Sequence, residues 1–392
     1  MDIIRKIKKM GGIELLFSLY PILQYYSYGV ANSGDYLIVI LALYIFFIKK
    51  KYPMPYKPII LLVSFILLHE VILSFYLFTL PNYFINNTFM TILRWVLILF
   101  IVPGLNEKKL YDTCIVVTWI CMGGLLYHFV CMYFLDISIT PLRLPFMPSL
   151  DETARYLKEI HRPSSFFPES AAYTSYMMVI LAWCLYRRNI LMGIIITFTV
   201  LLSTSSNGFF QTILIWSFYL LLSPTLKLKY KILMPFVAIG IVYLVVHSAL
   251  FEVGIQKIQN TNFEDNVRVT AGFNVYKELP WEHQLLGINE ANPLDYIKIN
   301  PNILYPNFLI SINLTENTLF LPRFWSNIIK FGVIGIILYL YVFLFLYSKC
   351  KELRPYIFVW LVSIMVQSGD VVFPMTFMLV VYRESVKNKL IN

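Results

Sequence analysis

Charge is scarce in this chain of 392 residues: only 14% are Asp, Glu, Lys or Arg, where a soluble domain carries about a quarter. That deficit excludes a water-solvated surface over most of the molecule. Cysteine is sparse too. Cys114, Cys121, Cys131 and Cys184 fall in apolar runs, and Cys350 falls in a basic loop. None pairs with a histidine at metal-ligand spacing, which argues against a zinc site and a disulfide framework.

What is present is apolar. Hydrophobic residues make up 58% of the chain and aromatics 17%, with a mean hydropathy of +0.68. Apolar runs of about 15 to 25 residues recur along the whole length, the mark of membrane-spanning helices. The fold class expected is all-α: a polytopic membrane helix bundle forming one integral membrane domain over 1–392. The net charge of +10 does not point to nucleic acid. Its Lys and Arg sit in short clusters between apolar runs, as cytoplasmic loops do.

Spans are predicted near 13–31, 36–48, 58–80, 88–104, 111–135, 169–186, 190–203, 208–222, 231–250, 327–347, 355–367 and 371–382. The first resembles a signal peptide, but its apolar part is long, and keeping it as an uncleaved span gives a consistent charge pattern downstream. "RKIKK" precedes span one, "KKKYPMPYK" follows span two, and "NEKK" follows span four. Arg187 and Arg188 follow span six, "KLKYK" span eight and "KCKELR" span ten, and "RESVKNK" ends the chain. Every basic cluster falls on one side, which the positive-inside rule makes cytoplasmic. Twelve spans put both termini there, in a bacterial inner (plasma) membrane. Reading 355–382 as one long span gives the eleven-span alternative.

Two long loops then face outward, 136–168 and 251–326, and loops of this length that are not low-complexity usually carry function. Both contain helix signals. Ser149 and Glu152 form a capping box in the first, and Thr261 and Glu264 form one in the second, opening a helix that stops at Pro280. No internal repeat is visible, which counts against a transporter built from inverted halves.

Ionisable residues inside spans are costly and face a cavity or a partner. Arg94 and His128 lie toward the outer leaflet, where a cavity open to a lipid headgroup would be. His69 and Glu70 lie near the middle of span three. A buried ion pair is the plain structural alternative for such groups.

Four stretches carry a resemblance. "RPSSFFPESAAY", Arg162 to Tyr173, resembles the Arg–Ser–Phe–Glu signature opening a membrane helix in the O-antigen and capsule polymerases (Wzy-type), relatives of the O-antigen ligases. "LSTSSNGFF", Leu202 to Phe210, is similar to that superfamily's Ser-rich outer turn. "DNVRVTAGFNVYKELPWEHQLLGIN", Asp265 to Asn289, resembles its large-loop segment, with an arginine on a helix and a turn ending in "LLG". "FGVIGIILYLYVF", Phe331 to Phe343, resembles its Gly-x-x-Gly start of a late span. Two positions depart from the pattern. The family usually has proline after the glutamate, whereas Pro168 precedes Glu169. The nearest analogue of its His-Asn pair is Glu316-Asn317-Thr318.

The resemblance implies a GT-C-like membrane glycosyltransferase that polymerises glycan at the outer leaflet. Its donor and acceptor would both be oligosaccharides linked to undecaprenyl diphosphate. Besides the lipid bilayer, the resemblance implies a chain-length regulator and a flippase of the same pathway as partners. Charge develops on phosphate oxygens as the anomeric bond breaks. Guanidinium groups, which bind such oxygens in bidentate fashion and keep their charge, suit that task. Arg162 and Arg268 are the first candidates, with Arg323 ranked below them. The acceptor hydroxyl must lose a proton. Glu169 is the first candidate base and Glu316 the second, with His283 and His161 behind. The same motifs make Ser164, Ser165, Tyr173, Gly272 and Asn317 candidates for substrate contact. Arg94 joins them from its depth in span four. No Asp-x-Asp motif to hold a divalent metal is present, so neither a metal nor a cofactor is expected. Tyr156, Tyr276, Trp281 and Tyr305 of the outer loops could stack on sugars, though interfacial anchoring is the commoner role.

Two other readings compete. A ligase that transfers finished glycan to a lipid core shares the fold and motifs. A flippase of lipid-linked sugars would explain the spans and intramembrane charges, but needs no long outer loops.

Overall fold

The computed structural model describes residues 11–28, 31–77, 89–137, 141–144, 162–222, 267–288, 293–300, 302–303, 321–365 and 371–391, together with 232 and 240. The described chain is overwhelmingly helical, as expected of an all-α protein. In chain order the helices are α1 (Gly12–Leu23), α2 (Ser33–Leu43), α3 (Lys57–Leu77), α4 (Phe89–Ile101) and α5 (Glu107–Tyr133). There follow α6 (Ser170–Tyr186), α7 (Ile190–Leu202), α8 (Ser206–Leu222), α9 (Val267–Glu278) and α10 (Trp281–Leu286). The last are α11 (Pro293–Ile299), α12 (Arg323–Lys349), α13 (Arg354–Ser363) and α14 (Val372–Ile391). A helix occupies eleven of the twelve apolar runs. The run at 231–250 lies outside the described residues apart from two single positions.

Among the described residues, α5 and α12 are the two helices long and apolar enough, by length and composition, to cross a membrane. The first run differs from expectation. Its helix stops at Leu23, and a small antiparallel ladder follows, pairing Ser27 with Asn32 and Tyr28 with Ala31. The last two runs form two separate helices, α13 and α14.

Helix starts follow local chemistry. The Asn106 side chain accepts from Lys109 N (3.0 Å) at the head of α5, and Asn189 accepts from Met192 N (3.4 Å) at α7. Ser205 accepts from Gly208 N (3.3 Å) at α8. Each satisfies one orphan donor of a first turn. The core is aromatic where α1, α6 and α14 meet. Phe373 stacks on Phe17 (5.9 Å between ring centroids), Tyr176 lies beside it (5.6 Å), and Trp183 packs on Phe377 (4.9 Å).

One end of the bundle is tied by polar contacts. Glu107 accepts from Trp183 Nε1 (2.8 Å) and forms a bidentate pair with Arg187. Arg187 also lies over the Tyr111 ring. Asn106 N donates to Glu14 (3.0 Å), and Arg383 donates to the carbonyls of Val102 and Leu105. Met54 N bonds Leu99 O (2.8 Å), Tyr56 OH donates to Val342 O (2.7 Å), and Arg354 Nε donates to Tyr347 O (3.0 Å). These contacts gather Lys49–Lys51, Lys108–Lys109, Arg187–Arg188 and Lys349–Arg354 at that same end. At the opposite end Leu144 N meets Tyr26 OH (3.0 Å), Tyr25 meets Phe167, and Thr174 meets Ser205.

Candidate functional site

At the end away from the basic clusters, the chain before α6 does not simply cap the bundle. It descends into it. Ser165 donates from Oγ to Cys121 O (2.7 Å), and Ser164 N reaches His128 Nδ1 (3.4 Å). Cys121 lies twelve residues before the end of α5 at Tyr133, about 18 Å along the axis. Gly124 opens the space for this descent. A Cβ there would stand 2.6 Å from Ser165 Oγ and 2.9 Å from Leu142 Cδ1. Cys121, Gly124 and His128 thus form one stripe of α5 at helical spacing. Ser165 takes a left-handed φ of 59°, and its carbonyl accepts from Leu142 N (2.9 Å). Irregular backbone at this depth is sustained only where protein satisfies its polar groups.

The anchor of the segment is Phe167, fully buried between Tyr25, Tyr173 and Tyr176 with centroids 5.7 to 5.9 Å away. Burying that ring contributes about 2–3 kcal/mol. Arg162 and Glu169 flank the anchored part. Arg162 is half-buried and Glu169 is exposed. Among the described residues, neither side chain enters a hydrogen bond or ion pair. Glu169 is the N-cap residue of α6, with extended backbone and no side-chain cap bond. Ser164, Ser165 and Tyr173 are buried, so their contacts are with the protein itself.

The Ser-rich turn lies beside this segment. Thr204 has a left-handed φ of 52°. Gly208 packs so closely on α6 that a Cβ would stand 2.5 Å from Thr174 Cγ2.

The large loop and the late helix meet backbone to backbone. α12 is broken at Gly332, where φ is 67° and ψ −173°. The turn after α10 sits in that break. Gly287 there has φ 84°, and Ile288 N donates to Ile329 O (3.0 Å). A Cβ on Gly287 would collide with the Lys330 carbonyl, and one on Gly332 would collide with that of Leu285. The "LLG" turn and the Gly-x-x-Gly start are therefore the two halves of one contact. A second seat lies upstream. Gly272 of α9 lies against the Trp325 indole, with Phe273, Tyr276 and Phe324 around it. Gly272 is thus a packing position. Its neighbour one turn earlier is Arg268, whose backbone belongs to the first turn of α9 and whose side chain lies outside the described residues.

His283 turns inward on its own helix. Its Nδ1 lies 3.2 Å from Gly287 O, and its ring meets Tyr296, whose hydroxyl burial pushes above its usual pKa. Arg323 opens α12 and is half-buried, with interactions of its own. Trp281 is 69% exposed. Glu316, Asn317, His161, Tyr156 and Tyr305 lie outside the described residues, as do both capping boxes.

The ionisable residues Arg94 and His69, which lie in apolar runs, each have a carboxylate nearby. Arg94 forms a bidentate pair with Asp35. His69 sits beside Glu70, 3.4 Å from Nδ1 to Oε1, and contacts Leu286 O through Nε2. Asp35 and Gly124 are the residues that sequence reasoning missed. The polar residue Asp35 next to an apolar run was the available signal. Among the described residues, no three His, Cys, Asp or Glu side chains group as metal ligands. Compared with protein-family models and with curated proteins, the sequence matches none.

Proposed function

We propose that this chain is a polytopic membrane glycosyltransferase that polymerises undecaprenyl-diphosphate-linked oligosaccharide repeats into O-antigen or capsular polysaccharide. The arrangement proposed has twelve spans and both termini in the cytoplasm, with transfer at the outer leaflet. The observation that carries this reading is the pairing of two irregular, glycine-seated segments with an arginine and a carboxylate, Arg162 and Glu169, that have no side-chain partner among the described residues. Both segments enter the bundle from the end opposite the basic clusters. By the positive-inside rule that end is the outer one.

The chemistry follows from the groups available. The bond from the anomeric carbon to the donor's diphosphate oxygen breaks, and a bond to the acceptor hydroxyl oxygen forms. Arg162, with Arg268 on the large loop, would hold the departing diphosphate, and the transfer would need no metal. The acceptor proton would pass to Glu169, or to Glu316 of the large loop. Exposure suits Glu169 to meet an incoming sugar.

The test uses purified protein in lipid nanodiscs, supplied only with lipid-diphosphate-linked repeats. A ladder of lengthening products is expected. Transfer only when a lipid-core acceptor is added would make it a ligase. Movement of the lipid-linked sugar between leaflets without any new glycosidic bond would make it a transporter.

A further inference from the structure

The large loop reaches the bundle as a two-helix arm. α9 and α10 are separated by two residues, and the elbow between them is welded by one side chain. Gln284 Nε2 donates to Leu279 O (2.9 Å) and lies 3.4 Å from Lys277 O. This arm is seated twice on α12, through Gly272 on Trp325 and through Gly287 in the break at Gly332. A third contact comes from a different helix. His69 of α3 is 6% exposed, and its Nε2 meets the Leu286 carbonyl at the end of α10.

A carbonyl can only accept, so Nε2 carries the hydrogen. The last carbonyls of a helix have no partner of their own, and this one is satisfied by the imidazole. The other nitrogen faces Glu70 Oε1 at 3.4 Å. With Nε2–H given to the Leu286 carbonyl, the neutral ring is the Nε2–H tautomer, and Nδ1 makes no hydrogen bond among the described residues. The ring itself is clamped between Phe65 and Phe331, with centroids 5.4 and 5.6 Å away. His69 therefore does two separable things: it packs as an aromatic and it donates one hydrogen bond.

We propose that His69 is a positioning residue for the transfer reaction, holding the α9–α10 arm in the break of α12 and thereby setting Arg268 in place. This rests on the polymerase reading above. His69 acts on Arg268 through the arm, whose first turn holds the Arg268 backbone.

The experiment compares His69→Phe with His69→Gln in the purified full chain. Phenylalanine keeps the ring packing and removes the donor, while glutamine restores an N–H donor. Hydrogen exchange is read at the Ile288 amide, whose bond to Ile329 O reports the seated arm. His69→Phe is expected to speed that exchange about five- to tenfold and leave amides at the basic end unchanged. Long-chain product is expected to fall by a similar factor at unchanged membrane yield. His69→Gln is expected to restore both. Wild-type exchange at Ile288 in His69→Phe overturns the proposal, and so does faster exchange with undiminished polymer. A wild-type protein that makes no polymer from any lipid-linked repeat sinks the polymerase reading instead, and the exchange contrast still decides the seat.

Discussion

Arg94 and Asp35 grip each other in bidentate geometry, Nε to Oδ1 and Nη2 to Oδ2, each at 2.8 Å. Asp35 is nearly sequestered while the arginine side chain keeps 30% of its exposure. Removing one member of a sequestered pair costs more than the pair itself is worth, because the survivor keeps its desolvation. Arg94→Ala and Asp35→Ala are each expected to destabilise by about 2 kcal/mol, less than a fully buried pair because the arginine is partly wet. The double variant Arg94→Leu with Asp35→Asn should recover part of that loss. Thermal unfolding in detergent, followed by tryptophan fluorescence, measures it. A direct role of Arg94 in holding substrate would instead show as lost synthesis at unchanged stability.

Gly332→Ala and Gly287→Ala test the seat in α12. Both positions have left-handed φ, which costs a residue with a Cβ roughly 1–2 kcal/mol. Each new methyl also meets backbone, which cannot rotate away. Loss of Ile288 amide protection and of long-chain product is expected from either variant. Gly12→Ala is the control, since a Cβ there meets nothing. Equal behaviour of all three would show that the seat has no role.

Among the described residues Arg162 has no partner to lose, so Arg162→Ala should leave the unfolding midpoint where it was. Synthesis of long chains should stop. Arg162→Lys should restore little, because an ammonium cannot form the bidentate contact of a guanidinium. Glu169→Gln should slow transfer at least tenfold if this carboxylate takes the proton. Undiminished product from either the Arg162 or the Glu169 variant removes that residue from the mechanism.

All five cysteines are buried. For Cys350, outside the spans, burial and the nearby Glu352 carboxylate push the thiol up to about 11. Thiolate is the reactive form, so the native chain should resist maleimide at neutral pH. That background allows a topology test with introduced cysteines. Trp281→Cys should label on intact cells with an impermeant reagent. Lys51→Cys should label only after permeabilisation. The reverse pattern would invert the orientation proposed.

Much of the helical layout was legible because an apolar run of sufficient length has few alternatives. The α5, α6 and α7 ends lie within a few residues of expectation, marked by Asn106, Pro168 and Asn189. The first run misled, since "QYYSYGV" is aromatic enough to pass for a span. Its Asn32, the residue before α2, was the overlooked boundary signal. The Arg94 pair was illegible because its partner lies 59 residues away. Periodicity cannot report a contact at that separation. The glycine seats were half-legible. The motifs flagged Gly332 and the "LLG" turn separately, but only facing backbones show that each glycine exists for the other. Four motif residues, Ser164, Ser165, Tyr173 and Gly272, are packed within the protein, a burial the motifs did not reveal.

The knot of Glu107, Trp183, Arg187 and Arg383 lashes α4, α5, α6 and α14 together at their basic ends. Parting the helices at this end would strand the buried Glu107 carboxylate without its donors, the costly outcome for a sequestered charge.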